Sequence, residues 1–448
     1  MKVTFIKPRI GTGIDSLYIE EGRMEPLTIA VLASLTPDDF EIKFYDDRIE
    51  EIPYDEATDL VAITVETWTA RRSYQISNEF RKRGVKVIMG GFHPTLAPNE
   101  VAQYCDSVFT GDAEWKWHEV LEDLKNKNLK SIYHSKPGIA QKSRILPRRD
   151  IFENKNYLPI TLMQFSRGCH FSCNFCAISK FFDKKQFHRE IDDVLLELEK
   201  RKHKLVFFVD DNFCANRKLA KEMCQAMIPL KLKWVSQASI DMTLDKDLMS
   251  SMAKSGCMGH VIGFESISEF ELIKMKKSHP NLSKYNNPTY QDQIEILRDY
   301  GLQTWASFTF GYDSDTLDTI KRTVDFAIAN KFCFGAFNIL KPYPNTALYN
   351  SLNEQHRLLW DGKWWNHPNY QFNHSTFIPK QMSPDELTVA LDEARKLWSS
   401  PLVMIKRYLD PKTHMSSLFR SIIYWTYNPI YGRENRRKQG IKFGLKEQ

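Results

Sequence analysis

Ser166-Arg167-Gly168-Cys169-His170-Phe171-Ser172-Cys173-Asn174-Phe175-Cys176 packs three of the chain's eight cysteines into eight residues. The apolar run Ile160–Phe165 just before it reads as a strand, so the cysteines fall in the loop that follows. Thiolates in CxxxCxxC spacing can wrap one metal centre from a single loop. A structural zinc site normally closes with four ligands. His170 and His188 are nearby candidates, but neither completes a zinc spacing. Three cysteines suit a [4Fe-4S] cluster with one iron left open to bind a small molecule.

Outward from this loop, strand-like runs recur at Leu205–Val209, Lys233–Val235, His260–Phe264, Thr304–Phe310 and Phe334–Leu340. Helical patterns at Arg189–Arg201, Arg217–Met227, Leu244–Ser255, Tyr290–Tyr300 and Asp315–Asn330 separate them. Six such units predict a full or partial (β/α) barrel over residues 159–350. Toward the amino end, Val3–Ile6, Ile42–Tyr45, Leu60–Val65 and Val85–Met89 alternate with helical patterns at Leu27–Leu35, Arg71–Arg83 and Trp115–Leu124. That alternation predicts a Rossmann-like parallel sheet over residues 1–135, with Gly90-Gly91 where such sheets meet ligands. A polar, basic connector (136–158) joins the two, and a mostly helical C-terminal region (351–448) follows. Its stretch from Trp360 to Tyr370 reads as core packing or as the wall of a substrate cavity.

The cysteine loop after a barrel strand, with Phe175 before its last cysteine, resembles the radical SAM superfamily. The resemblance implies that Cys169, Cys173 and Cys176 hold the cluster and that its open iron binds S-adenosylmethionine (SAM). One-electron cleavage then yields a 5′-deoxyadenosyl radical that abstracts a substrate hydrogen. By the same resemblance Phe175, Asp210, Asp211, Asn212, Glu265, Gly311, Leu340 and Pro342 are expected around SAM. Asp210, Asp211 and Asn212 would meet its amino group and Glu265 its ribose; Gly311, Leu340 and Pro342 would lie on the adenine side. The bland alternatives are a helix cap for Asp210–Asn212, a surface ion pair for Glu265 and turns for the rest. The other cysteines read as small buried hydrophobes.

The sheet-then-barrel order, with Ala62-Ile-Thr-Val-Glu-Thr67, Val87-Ile-Met-Gly-Gly-Phe-His-Pro-Thr95 and Thr110-Gly-Asp-Ala-Glu114, is similar to the cobalamin-binding class of that superfamily. This class includes hopanoid methylases, an anaerobic porphyrin-ring cyclase and natural-product C-methyltransferases. It implies cobalamin as a third cofactor and methylation of an unactivated carbon, in a protein that binds a small-molecule or lipid substrate and an electron donor such as flavodoxin or ferredoxin. One feature departs from the pattern: the chain has no Asp-x-His-x-x-Gly triplet, so cobalamin is expected base-off with no histidine below cobalt. His93 is expected to shape its loop. A domain that has lost the cofactor, with dehydration, epimerisation or ring rearrangement in place of methylation, is the alternative. Methylthiolation needs a second three-cysteine cluster, and Cys105 is the one cysteine before residue 136. A non-catalytic metal scaffold leaves the Asp210–Asn212 and Glu265 segments unexplained.

Composition narrows the remaining classes. Of 448 residues 42% are hydrophobic and 26% charged, enough to build sizeable cores. The net charge of +6 is too small to imply nucleic-acid binding. Residues 401–448 hold ten basic and three acidic side chains, so the surplus is one basic tail on an otherwise near-neutral chain. With Leu418–Tyr427 before Arg433–Lys438, this tail reads as a membrane-surface contact, a solvated end or a clamp on the barrel. The apolar run Val3–Ile6 is too short for a signal-peptide core, so the expected location is cytoplasmic, peripheral to a membrane if the tail binds one.

Overall fold

The computed structural model describes residues 1–12, 23–138, 145–277 and 288–445. Part of the expected connector (139–144) and the tail residues Lys446 and Glu447 lie outside the described residues.

Six strands form the amino-terminal sheet: β1 (Lys2–Lys7), β2 (Glu41–Asp46), β3 (Leu60–Thr64), β4 (Lys86–Gly90), β5 (Ser107–Thr110) and β6 (Ile132–His134). All pair in parallel, in the order β2-β1-β3-β4-β5-β6. Leu60-Val-Ala-Ile in β3 and Val87-Ile-Met in β4 are continuous apolar runs because both faces of the sheet are covered. Helix Ala70–Lys82 supplies Tyr74, Ile76 and Phe80 to one face. Helices Leu27–Ser34 and Trp117–Lys125 supply Ile29, Ala33, Trp117 and Leu121 to the other. β5 and β6 are three or four residues long and gave no periodic signal in the sequence. Strand order reverses between β1 and β3, and this reversal opens a crevice at their carboxyl ends.

The second sheet holds β7 (Ile160–Met163), β8 (Leu205–Phe208), β9 (Lys233–Ala238), β10 (Cys257–Glu265), β11 (Gln303–Phe310) and β12 (Phe334–Ile339). These pair in parallel and in chain order, with no pairing between β7 and β12, so the barrel is open. The helix that covers β12 is Pro384–Trp398, which buries Leu387, Leu391, Ala394 and Trp398 in the barrel core. A helix from the region after residue 350 thus covers the last barrel strand.

The C-terminal region packs on both bodies. Trp364, Trp365 and Tyr370 are buried in the core over the amino-terminal sheet, with the Trp364 ring 5.1 Å from that of Trp68. They are packing residues, not the wall of a cavity. Helix Leu418–Lys438 lies across the amino ends of the barrel strands, where Arg420 donates to the Met258 carbonyl (2.9 Å) and Asn428 to that of Cys333 (3.2 Å). The buried Arg407 guanidinium sits 3.8 Å from the centre of the Trp398 ring. It donates to the carbonyls of Phe332, Cys333 and Trp398 and to Asn428 Oδ1, tying three helices to the barrel. Beyond that helix, Lys442–Phe443 pairs antiparallel with Gly11–Thr12, and Phe443 enters the amino-terminal core at 2% exposure. The basic tail is thus a clamp and a strap.

Candidate functional site

After β7 the chain forms a short strand, Ser166–Gly168, paired antiparallel with Gln186–His188. Gly168 has φ +82°, and a Cβ there would fall 2.1 Å from the Lys185 carbonyl oxygen, so only glycine turns the chain into the cysteine loop. The loop is pinned from outside: Asn174 N donates to the Met275 carbonyl (3.1 Å), and Leu348 N donates to that of Asn174 (3.0 Å).

The end of β8 holds the loop from below. The Asp210 carboxylate is fully buried and accepts from Phe165 N (3.1 Å), Ser166 N and Ser166 Oγ (2.5 Å). Asp211 accepts from Gly168 N (2.7 Å). Asn212 donates to Ser239 Oγ (2.9 Å) and approaches Cys169 Sγ at 3.9 Å. The cap of the following helix is a different residue, Asn216, whose side chain accepts from Leu219 N. Burial pushes the Asp210 carboxyl up to about 7 and that of Asp211 up to about 6, against the hydrogen bonds that favour their charged forms.

Cys169, Cys173 and Cys176 line one cavity of about 270 Å³, together with Phe175, Asp211, Asn212 and Glu265. Burial pushes the Cys173 thiol up to about 12 and raises the other two as well. Glu265 stands at a bulge of β10 with φ +62°, a strained backbone for a non-glycine residue. Its carboxylate pairs with Lys277 Nζ (2.7 Å) and accepts from Thr309 Oγ1 (2.6 Å). Burial opposes the charge on Lys277, but Glu265, with Cys173 nearby, outweighs it and raises the ammonium above its ordinary value. The Tyr312 hydroxyl is buried with no partner among the described residues, and its ring lies 6.4 Å from that of Phe175.

Seven of the eleven residues expected at the site therefore meet at this cavity. Asp210 faces away from it and anchors the loop. Gly311 N donates to Asp315 (2.9 Å), Leu340 N continues the sheet to the Phe310 carbonyl (2.8 Å), and the Pro342 carbonyl accepts from Trp364 Nε1 (3.1 Å). None of these four lines the cavity. The sequence reading missed Lys277, Gln237, Ser239 and Ser307, which do. Gln237 and Ser239 fall at the carboxyl end of β9, the one signal that marks them, whereas Ser307 lies mid-strand in β11.

A second cavity, of about 320 Å³, fills the crevice at the carboxyl ends of β1, β3, β4 and β5 and meets the barrel at Gln164, Arg167 and Asp211. Phe5, Leu27, Val31, Val65 and Phe92 give it apolar walls. His93 is fully buried with Nε2 at 3.0 Å from the Tyr74 hydroxyl, inside the domain core. Arg167, unmarked in the sequence, forms ion pairs with Asp112 (3.1 Å) and Glu114 (2.5 Å). That cluster joins the cysteine loop to the amino-terminal domain.

A parallel sheet with a crevice at its carboxyl ends stands against an open six-stranded barrel whose first loop carries three cysteines. The radical SAM superfamily pattern matches residues 163–327. Bacteriochlorophyllide d C-8(2)-methyltransferase of Chlorobaculum tepidum is 30% identical over 362 residues, covering 75% of this chain and 78% of that protein. The C-12(1)-methyltransferase of the same organism is 28% identical over 400 residues, covering 86% and 84%. The structure of OxsB, a cobalamin-dependent SAM radical enzyme, superposes with a TM-score of 0.65 at 13% identity, covering 95% of this chain and 72% of that one. The chain belongs to the radical SAM superfamily, whose cofactors are a [4Fe-4S] cluster and SAM.

Proposed function

We propose that this chain is a cobalamin-dependent radical SAM methyltransferase that acts on an unactivated carbon of a small, largely apolar organic substrate. One observation carries the reading: the cysteine-lined cavity and the crevice over the amino-terminal sheet share a wall at Asp211, so groups bound in the two face one another. The two methyltransferase relatives, and a hopanoid C-2 methylase 20% identical over 403 residues, support the reaction type and an apolar substrate.

The residues fit the groups. Among the described residues no three Cys, His, Asp or Glu side chains converge on a point as one metal ion requires. Three thiols line one cavity whose carboxylates are engaged elsewhere, Asp211 by Gly168 N and Glu265 by Lys277 and Thr309, which suits a multi-iron body with one iron free. The crevice offers apolar walls and no imidazole, which suits a corrin held without a histidine on cobalt, as the missing Asp-x-His-x-x-Gly implies.

When bound, these groups supply the electron that splits SAM and the methyl group that is transferred. The protein's part is binding and placement. Cys169, Cys173 and Cys176 hold the cluster, and Asp210 and Asp211 fix their loop by its backbone N–H groups. Glu265, held by Lys277 and Thr309, offers an acceptor to the ribose of SAM, and Asn212, whose Oδ1 takes Cys214 N and Ser239 N, places its amide beside Cys169. Phe175 lines the cavity, with the Tyr312 ring beside it. Electrons come from a donor such as flavodoxin or ferredoxin.

Anaerobically reconstituted protein is expected to hold four irons, to cleave SAM to 5′-deoxyadenosine on reduction, and to keep a visible corrin spectrum after hydroxocobalamin and desalting. SAM cleavage that survives Cys173→Ala would remove the cluster assignment. SAM cleavage without a retained corrin would remove methylation and leave a non-methylating radical enzyme.

A further inference from the structure

Helices Pro401–Tyr408 and Leu418–Lys438 each bury one face, the second through Tyr424, Asn428 and Gly432. Each also turns an apolar row to solvent. Leu402, Ile405 and Leu409 follow i, i+3, i+7 spacing and are 64%, 48% and 53% exposed. Leu418, Ile422 and Trp425 follow i, i+4, i+7 spacing and are 77%, 52% and 39% exposed, with Phe419 and Met415 open beside them. The rows adjoin: the Tyr408 ring lies 5.1 Å from that of Trp425, the Tyr408 hydroxyl meets Ser421 Oγ (3.0 Å), and Tyr424 donates to the Met404 carbonyl (2.7 Å). Eight of the 18 large apolar side chains exposed among the described residues fall within Leu402–Trp425. Scattered exposure is ordinary; this concentration marks a contact surface.

Within Pro401–Gly432 the exposed charged side chains are basic. Lys406 is exposed on the same helix face as Ile405 and Leu409, whereas Lys412, on the connecting turn, pairs with Asp299 (2.5 Å) and Arg420 is tied to the Met258 carbonyl (2.9 Å). The one acid between Pro401 and Gly432, Asp410, is buried and paired with Arg298 (3.0 Å). No exposed acid within Pro401–Gly432 stands ready to pair with Lys406 of a second copy, whereas anionic headgroups complement it. No helix among the described residues is long and apolar enough to cross a membrane, so contact would be peripheral. The inner face of the second helix, with Ile423, Tyr427, Ile430 and Tyr431, closes an apolar chamber of about 180 Å³ at the amino end of the barrel.

We propose that this two-helix face docks the protein on an anionic lipid bilayer, with the apolar rows at the headgroup boundary and Lys406 among the phosphates. The docking does not rest on the methyl-transfer reading: a chain that binds vesicles but retains no corrin would refute that reading alone.

The test is cosedimentation of the full chain with phosphatidylcholine vesicles, with and without phosphatidylglycerol, alongside light scattering of the free protein. The parent is expected to bind the anionic vesicles at least about tenfold more tightly than the neutral ones, the difference shrinking with added salt. The triple variant Leu402→Ser, Leu418→Ser, Ile422→Ser should lose that binding about tenfold or more while keeping the parent's melting temperature and SAM cleavage. Lys406→Glu should weaken binding to anionic vesicles alone. Equal binding by the triple variant and the parent overturns the proposal. So does a parent dimer that the triple variant dissolves, since the face would then be a self-contact.

Discussion

Replacing Arg167 with Met tests whether the seam between the two domains depends on one buried charge. The guanidinium is 16% exposed and faces Asp112 at 3.1 Å and Glu114 at 2.5 Å, whose side chains are 9% and 7% exposed. At an effective dielectric of about 20 these contacts correspond to about 5 and about 7 kcal/mol of Coulomb attraction. Desolvation of the three charges offsets most of that. What matters for the single variant is what stays behind: two buried carboxylates with Asp211 beside them and no cation. Breaking a buried pair in this way costs about 3–5 kcal/mol. If both bodies melt together, with an unfolding entropy of about 2.1 cal/mol/K per residue, the midpoint falls by about 4 °C. Separate melting would give the amino-terminal transition a larger shift.

The control is the triple variant Arg167→Met, Asp112→Asn, Glu114→Gln. It removes all three charges and keeps the acceptor that Asp112 offers to Gly138 N (2.7 Å). It should recover most of the lost stability, because the cost lies in the uncompensated carboxylates. Scanning calorimetry of the apo protein reads both. A single variant that melts within a degree of the parent would refute the reasoning. So would a triple variant that melts well below the single one, because the pairs would then be net stabilising.

Glu265→Gln should raise the KM for SAM about tenfold, as loss of a hydrogen bond to a charged group implies, with kcat less affected; steady-state SAM cleavage measures it, and an unchanged KM would separate Glu265 from the ribose. Asp210, with a folded pKa of about 7 against an unfolded value of about 3.9, binds a proton in the folded state that the unfolded state has lost. Its contribution is therefore favourable below about pH 4 and is lost as pH rises through about 7, amounting to about 4 kcal/mol; Asp210→Asn should flatten that fall in urea titrations of the apo protein between pH 5 and pH 8, and an unchanged slope would place the titration elsewhere. Phe443→Ala should cost about 3–5 kcal/mol, because the ring is 2% exposed against Tyr370 and Trp364; a loss below about 1 kcal/mol by denaturant melting would mean that the strap holds nothing.

The sheets were legible because their strands are apolar runs of ordinary length separated by amphipathic helices, a pattern set locally. β5 and β6 escaped because Ser107-Val-Phe-Thr110 and Ile132-Tyr-His134 are too short to show a period; their neighbours in the sheet, not their own sequence, make them strands. The cysteines were legible because chemistry demands their spacing. Lys277 and Arg167 were not, because an ion pair is made by two positions far apart in sequence, and a lone lysine or arginine carries no mark of its partner. The same limit explains Asp210 and Asp211: adjacent residues of one type end with different tasks, since the carboxylate of one turns to the core and that of the other reaches the wall between two cavities. The aromatic stretch behaved in the opposite way. Trp364, Trp365 and Tyr370 are too large to leave exposed, and burying area decides their place before any ligand does.

The strands alone do not hold the two bodies together; single residues and the returning chain do. Arg167 binds the loop that carries Cys169 to the turn that follows β5, and Asp211 sits on the wall between the two cavities. From the far side, Trp68 of the amino-terminal domain donates to the Tyr343 hydroxyl (3.1 Å) just after β12, and Phe443 returns from the C-terminus to the same aromatic core. A reaction that passes a group from one cofactor to a carbon activated beside another needs a fixed separation between them, because a misplacement of about 1 Å costs about a hundredfold in rate. Two ties on opposite sides of the seam hold that separation better than a large soft interface, since each is short, buried and directional. The cost is that the Arg167 tie rests on one nitrogen: Nη1 meets both Asp112 and Glu114, so a side chain that withdraws it leaves both carboxylates buried without that cation.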